Sequence, residues 1–104
     1  MIIRIWEGAT NKENAAAYER LLQQEVFPAI AGRNVKGYKG IQLLRTEMPG
    51  HVNFMTFMRF EDWQSVKEFA GPDHEKSYVI DPAKKLLLRY DERARHFEVL
   101  YEEL

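Results

Sequence analysis

The sequence predicts an α+β domain in which helices cover one face of an antiparallel sheet. Three observations lead there. Strand-like and helix-like stretches follow one another in the order β-α-β-β-α-β. A Pro-Gly turn joins the two middle strands into a hairpin. The stretch HVNFMTFMRFEDW, residues 51–63, reads as a strand with apolar side chains on both faces, more than helices on one side could cover.

The elements follow in order. Residues 2–8, IIRIWEG, are β-branched and aromatic and close on Gly8, as a strand does. Thr10 with Glu13 three residues on has the spacing of a capping box and opens a helix over NAAAYERLLQQEVF. Tyr18, Leu22 and Val26 recur every fourth residue on its apolar face, with Leu21 beside them. Pro28 should end or kink this helix, because its ring clashes with the preceding turn. PAIAGR then adds a short extra turn that stops at Gly32. Residues 38–47 form the second strand and residues 52–60 the third, joined through MPGH with Pro49 and Gly50 at the centre of a type II turn.

EDWQSVKEFAG is a short amphipathic helix with Trp63, Val66, Phe69 and Ala70 on its apolar side, halted by Gly71-Pro72. DHEKSYV and PAKKLLL are each expected to make a helical turn. Residues 94–103 alternate cleanly and read as the last strand, with Phe97, Val99 and Tyr101 on one side. The whole order is the split βαβ, ferredoxin-like arrangement.

Composition narrows the function. The 104 residues suit a single domain spanning 1–104. A net charge of -1 lacks the basic surplus that non-specific nucleic-acid or anionic-membrane binding needs. The chain has no cysteine, which excludes disulfides, thiolate nucleophiles and zinc–thiolate sites and suits a reducing cytoplasm. No window approaches the roughly 20 apolar residues of a membrane span, and the run at the N-terminus is too short for a signal peptide.

On the third strand Phe54, Thr56, Met58 and Phe60 point one way, and Asn53, Met55, Phe57 and Arg59 the other. Burying a Phe or Met side chain contributes roughly 1.5–3 kcal/mol. Leaving a set in water forfeits that and presents a sticky patch. A second copy packed on the open face resolves both problems, so a homodimer through the sheet face is expected.

FMTFMRFEDWQSVKEFAGPDHEKSY (54–78) and RHFEVL (95–100), with IRIWEG near the start, resemble the antibiotic-biosynthesis monooxygenase family. The resemblance covers nearly the whole chain in element order. It implies a dimeric α/β barrel, two ferredoxin-like sheets back to back with their helices outside. It also implies a ligand pocket between sheet and helices and, in one branch, cofactor-free oxidation of small phenolic or quinol-type aromatics.

Such chemistry needs an apolar pocket and one or two polar groups that assist proton transfer. His74 and Tyr78, after the second helix, are the candidates for those groups, with Trp6, Asn53, Trp63 and Phe69 as candidate lining. His96 is a further candidate: a base if its face looks into the pocket, a structural hydrogen-bonding group if it looks into the dimer seam. His51 belongs to the exposed turn. A second branch degrades haem and resembles itself in a first-strand Asn, a Trp late in the second helix and a His about ten residues on. Here Glu7 or Gly8, Phe69 and Val79 fall at those places, so no haem or other cofactor is expected.

An RNA-recognition module shares the element order but wants a basic residue, a glycine and a ring on the third strand, where Asn53, Phe54, Met55 and Thr56 stand. His51, His74 and His96 share no metal-ligand spacing. Ser65 and Ser77 lie in no nucleophile elbow. The rival to an oxygenase is a non-enzymatic homodimer that binds a small hydrophobic metabolite.

Overall fold

Strand β1 (Ile2–Thr10) runs through the middle of the sheet. The computed structural model describes residues 1–104. A hairpin of β2 (Tyr38–Met48) and β3 (His51–Phe60) lies on one side of β1. On the other side lie β4 (Leu87–Tyr90) and β5 (Arg95–Glu98). The order across the sheet is β2-β3-β1-β4, and every pairing is antiparallel. This is the ferredoxin-like arrangement with its last strand in two pieces. β5 lies along Ile2 to Ile5 and β4 along Gly8 to Thr10.

The last strand therefore differs from the expectation for residues 94–103: it stops at Glu98. Its other half comes from Leu87–Tyr90, which reads by sequence as the end of a helical turn. The far half of β1 has backbone N–H and C=O groups that need partners, and this edge supplies them. Between the two pieces, the Asp91 amide donates to the Glu7 carbonyl (2.9 Å), and the Glu7 amide donates to Asp91 Oδ2 (3.0 Å).

The first helix continues through Pro28. It consists of α1 (Ala15–Leu21), a π-helical turn over Leu22–Val26, and α2 (Phe27–Gly32). Inside the wide turn the Phe27 amide donates to the Leu22 carbonyl five residues back. Pro28 has no N–H to return to Gln24 and its ring would press on that carbonyl; one extra residue per turn relieves both constraints. The Thr10–Glu13 capping box is not formed. Thr10 Oγ1 donates to the Asn11 carbonyl, and Asn11 Oδ1 accepts from the Asn14 amide, each at 2.8 Å, so the helix starts at Ala15.

Helix α3 (Trp63–Ala70) is capped by Asp62, whose Oδ1 accepts from the Ser65 amide and hydroxyl at 2.9 Å each. Gly71, at φ 85°, ends it. Residues 71–80 then cross as an irregular strap; DHEKSYV makes one hydrogen-bonded turn, in which the Lys76 amide donates to the Asp73 carbonyl (3.0 Å), but no helix. A bridge between Lys76 and Arg93 holds the strap to the gap between β4 and β5. PAKKLLL does supply a helix, α4 (Asp81–Leu86).

Register decides what the helices cover. Ile2, Arg4, Trp6, Gly8 and Thr10 stand opposite Phe60, Met58, Thr56, Phe54 and Val52. Side chains of this row pack with Tyr18, Leu22, Val26, Ile30, Val66 and Phe69 to form the core. The other face carries Ile3, Ile5, Glu7, Ala9, Asn53, Met55, Phe57 and Arg59. It is more mixed than the third strand alone suggests. Met55 and Phe57 are half-buried and Leu44, Met48 and Phe97 exposed, while Arg95 pairs with Glu7 (2.6 Å) and Arg59 with Glu102 (2.9 Å).

Phe60 is sealed between the rings of Tyr38 and Phe69, at centroid distances of 5.8 and 5.5 Å. Phe60→Ala is expected to cost about 3–5 kcal/mol in urea unfolding. A loss below about 1 kcal/mol would show that this aromatic layer does not hold the helices to the sheet.

Candidate functional site

A cavity of about 50 Å³ lies between the sheet and the helices. Arg4 and Trp6 of β1, Ile41 of β2 and Thr56 and Met58 of β3 form its floor. Tyr18, Leu22, Val26, Phe27 and Ile30 roof it, so the π-helical turn supplies two of the roof residues. Phe69 closes one side, and Tyr78, Val79, Ile80 and Ala83 the other. Only Arg4 and Thr56 interrupt an apolar and aromatic lining. An apolar cavity of about 150 Å³ is large enough for benzene, whereas this one has room for a water or two. A ring does not fit in the space as it stands.

The buried cation is the unusual feature. Arg4 is 3% exposed, on the core-facing row of the central strand. Its Nη1 donates to the His74 carbonyl (2.6 Å) and to His96 Nε2 (3.1 Å), and its Nη2 donates to the Lys76 carbonyl (2.9 Å). Two of these acceptors belong to the strap, so the guanidinium is the staple that ties residues 74–76 to the sheet. The carbonyl bonds keep a buried charge tolerable. Burial lowers the Arg4 pKa to about 10, which still leaves it protonated at neutral pH. Its guanidinium also lies over the Phe69 ring, 5.3 Å from the centroid.

The expected site residues divide. Trp6 lines the cavity, and its Nε1 is aimed away into the Asp91 carbonyl (2.8 Å) and Ser77 Oγ (3.2 Å). Phe69 lines it as well, between the guanidinia of Arg4 and Arg33. Tyr78 stands at the rim, 51% exposed, with its ring 6.3 Å from that of Phe69.

His74 does not line the cavity. Its ring packs outside against Trp63 (5.8 Å) and His96 (5.6 Å), and only its carbonyl reaches Arg4. Trp63, 38% exposed, belongs to the same outer cluster and also misses the cavity. Asn53 is on the opposite face of the sheet, where its Oδ1 accepts from Arg89 at 3.3 Å. Strict alternation along β3 puts it there, away from Phe54 and Thr56. His51, half-buried, meets Arg89 on that face at 3.3 Å.

Among the lining residues that sequence reasoning did not name are those with polar groups, Arg4, Tyr18 and Thr56. Arg4 had a readable signal, since alternation places it between Ile2 and Trp6 on the row facing the helices. Tyr18 reads as an ordinary core residue. Burial pushes its phenol above the usual tyrosine range, so it is neutral at ordinary pH.

His96, opposite Arg4 on β5, faces the helix side rather than the open face. Burial first, then the Arg4 charge and His74, lower its pKa to about 4. It is therefore a neutral acceptor for Arg4 at neutral pH.

No family model matches this sequence, and no curated protein matches it either. Solved structures do match. A Bacillus cereus protein classed with the antibiotic biosynthesis monooxygenases superposes at a TM-score of 0.69 and 12% identity, covering 100% of this chain and 95% of its own. The Streptomyces coelicolor monooxygenase ActVA-Orf6, in complex with the ligand nanaomycin D, reaches 0.64 at 13% identity over 99% of this chain and 90% of its own. The haem-degrader MhuD of Mycobacterium tuberculosis, with two haems in its active site, reaches 0.59 at 20% identity over 99% of both chains. The fold is that of the antibiotic biosynthesis monooxygenases.

A histidine whose folded pKa lies below its unfolded value binds protons more readily in the unfolded chain, so stability falls as pH drops from about 6.5 toward 4. In His96→Gln the amide oxygen can still accept from Arg4 but does not titrate. Its melting temperature, measured from pH 7 to pH 4.5, should fall less steeply than that of the wild type. Parallel curves would remove His96 from the acid response.

Proposed function

We propose that this protein is a homodimeric, cofactor-independent monooxygenase of a small aromatic or quinol-type compound. The observation that carries the reading is the sheet–helix cavity: nearly all its lining is apolar, with a buried cation on its floor and a half-exposed tyrosine, Tyr78, at its rim. The fold it shares with ActVA-Orf6 supports it. No histidine lines the cavity to ligate haem iron, so the reading does not extend to haem turnover.

The chemistry requires no external reductant. A phenol loses its O–H proton and gives an electron to O2. The radical pair combines at a ring carbon that bears hydrogen. Loss of water then leaves a quinone: one oxygen atom stays on the ring, and the other departs carrying the O–H and C–H hydrogens. Apolar walls exclude water from the reactive pair. Tyr78 is the group at the mouth placed to relay the phenolic proton. The imidazole of His74 lies outside the lining, so its part is limited to the carbonyl that positions Arg4. The small cavity volume also suits the rival reading, a non-catalytic binder of a hydrophobic metabolite whose pocket opens on binding.

Oxygen uptake with a panel of hydroquinones and polyphenols, without added reductant, should match substrate loss one for one. Tyr78→Phe should slow it by about 10²-fold, and His74→Ala far less. No uptake across the panel would leave the binder. The exposed apolar residues of the open face, Leu44, Met48 and Phe97, are proposed to pack against a second copy. Light scattering should show twice the chain mass at micromolar concentration, reverting toward the monomer in Phe57→Glu. A monomeric wild type would refute the dimer.

A further inference from the structure

We infer that Arg4 is an anion receptor and that the cavity takes a small aromatic acid whose single carboxylate pairs with it. The inference rests on the reading of this cavity as the ligand site. Three observations carry it.

The first is an uncompensated charge. No carboxylate lies within 4.0 Å of the Arg4 guanidinium. The strap has acids close in sequence to its Arg4 contacts, but Asp73 and Glu75 both pair with Arg93, at 2.5 and 3.2 Å. Backbone carbonyls and a neutral imidazole solvate Arg4 without neutralising it.

The second is unused donor capacity. A guanidinium has five N–H groups. Arg4 uses three of them, two on Nη1 and one on Nη2. The Nε–H and the second Nη2–H have no partner in the protein. They sit on two nitrogens of the same guanidinium, and a carboxylate has the acceptor oxygens to meet unused donors of this kind. A staple that needed only to hold two carbonyls would not need a charge or spare donors.

The third is the setting. Arg4 is on the floor of the cavity, and Phe69, Trp6 and Met58 around it are apolar. A ligand matched to this site has one negative group and a flat hydrophobic body. A neutral phenol would leave the charge unpaired; a dianion would bring a second charge with nothing to meet it.

The test compares benzoate with benzyl alcohol, which share a ring and differ in charge, by protein-observed NMR titration of the wild-type protein at pH 7. Benzoate should bind about tenfold more tightly or better. Arg4→Gln should lose that preference, binding the two probes about equally, and Arg4→Lys should keep part of it. Equal binding of the two probes by the wild type, or binding of neither, overturns the inference even if Arg4→Gln fails to fold. The oxygenase reading fails separately. Benzoate binding without oxygen uptake on any phenol would sink that reading and leave the receptor. Uptake on neutral phenols with no preference for hydroxybenzoates would do the reverse.

Discussion

The pairing of β1 with β3 determines which side of the molecule each functional group occupies. The two strands are in register over their full overlap, from Ile2 against Phe60 to Thr10 against Val52. Because strand side chains alternate, that one alignment puts Arg4, Trp6, Thr56 and Met58 under the helices and Asn53, Met55 and Phe57 on the open face. A slip of one residue would exchange the two sets, exposing the core row and burying Glu7 and Arg59. The large side chains of the helix-facing row make the observed register the one that buries most apolar area.

Arg4 turns this alignment into a site. A charge in that row requires hydrogen-bond acceptors, and the nearest supply is the strap after α3. The strap is drawn over the sheet, its acids are held outward by Arg93, and Tyr78 comes to the rim. Closure of the cavity and its polar character therefore have one cause. The same interaction explains why His96 is neutral: it is half-buried beside a permanent cation. The strap is held over the cavity by bonds from Arg4 to backbone carbonyls as well as by packing.

Much of this was legible from residue order. The hairpin at Pro49-Gly50, the two-faced third strand, the α3 helix with its Gly71 stop and the ferredoxin-like sheet all follow from local patterns. The errors were also physical. Leu86-Leu87-Leu88 fits a helix end or a strand equally well, and the unpaired edge of β1 decided for a strand from Leu87. Pro28 was expected to end or kink the helix; the helix continues, and the π-helical turn before Pro28 absorbs its missing N–H. DHEKSYV has no strong preference of its own and took the path that Arg4 and Arg93 impose on it.

The sequence by itself determined the strands' faces, the hairpin and the class of fold, because those depend on side-chain periodicity and turn chemistry over a few residues. Only the tertiary structure decided which polar groups meet at the cavity. Arg4 and the strap are about 70 residues apart in the chain, and their contact exists only because the last strand is split and the strap crosses the gap. His74 and Trp63 look like pocket residues in the linear order, but they pack outside, since the strap presents its carbonyls rather than its imidazole to the buried charge. Local periodicity carries no information about which of two neighbouring groups will solvate a distant cation.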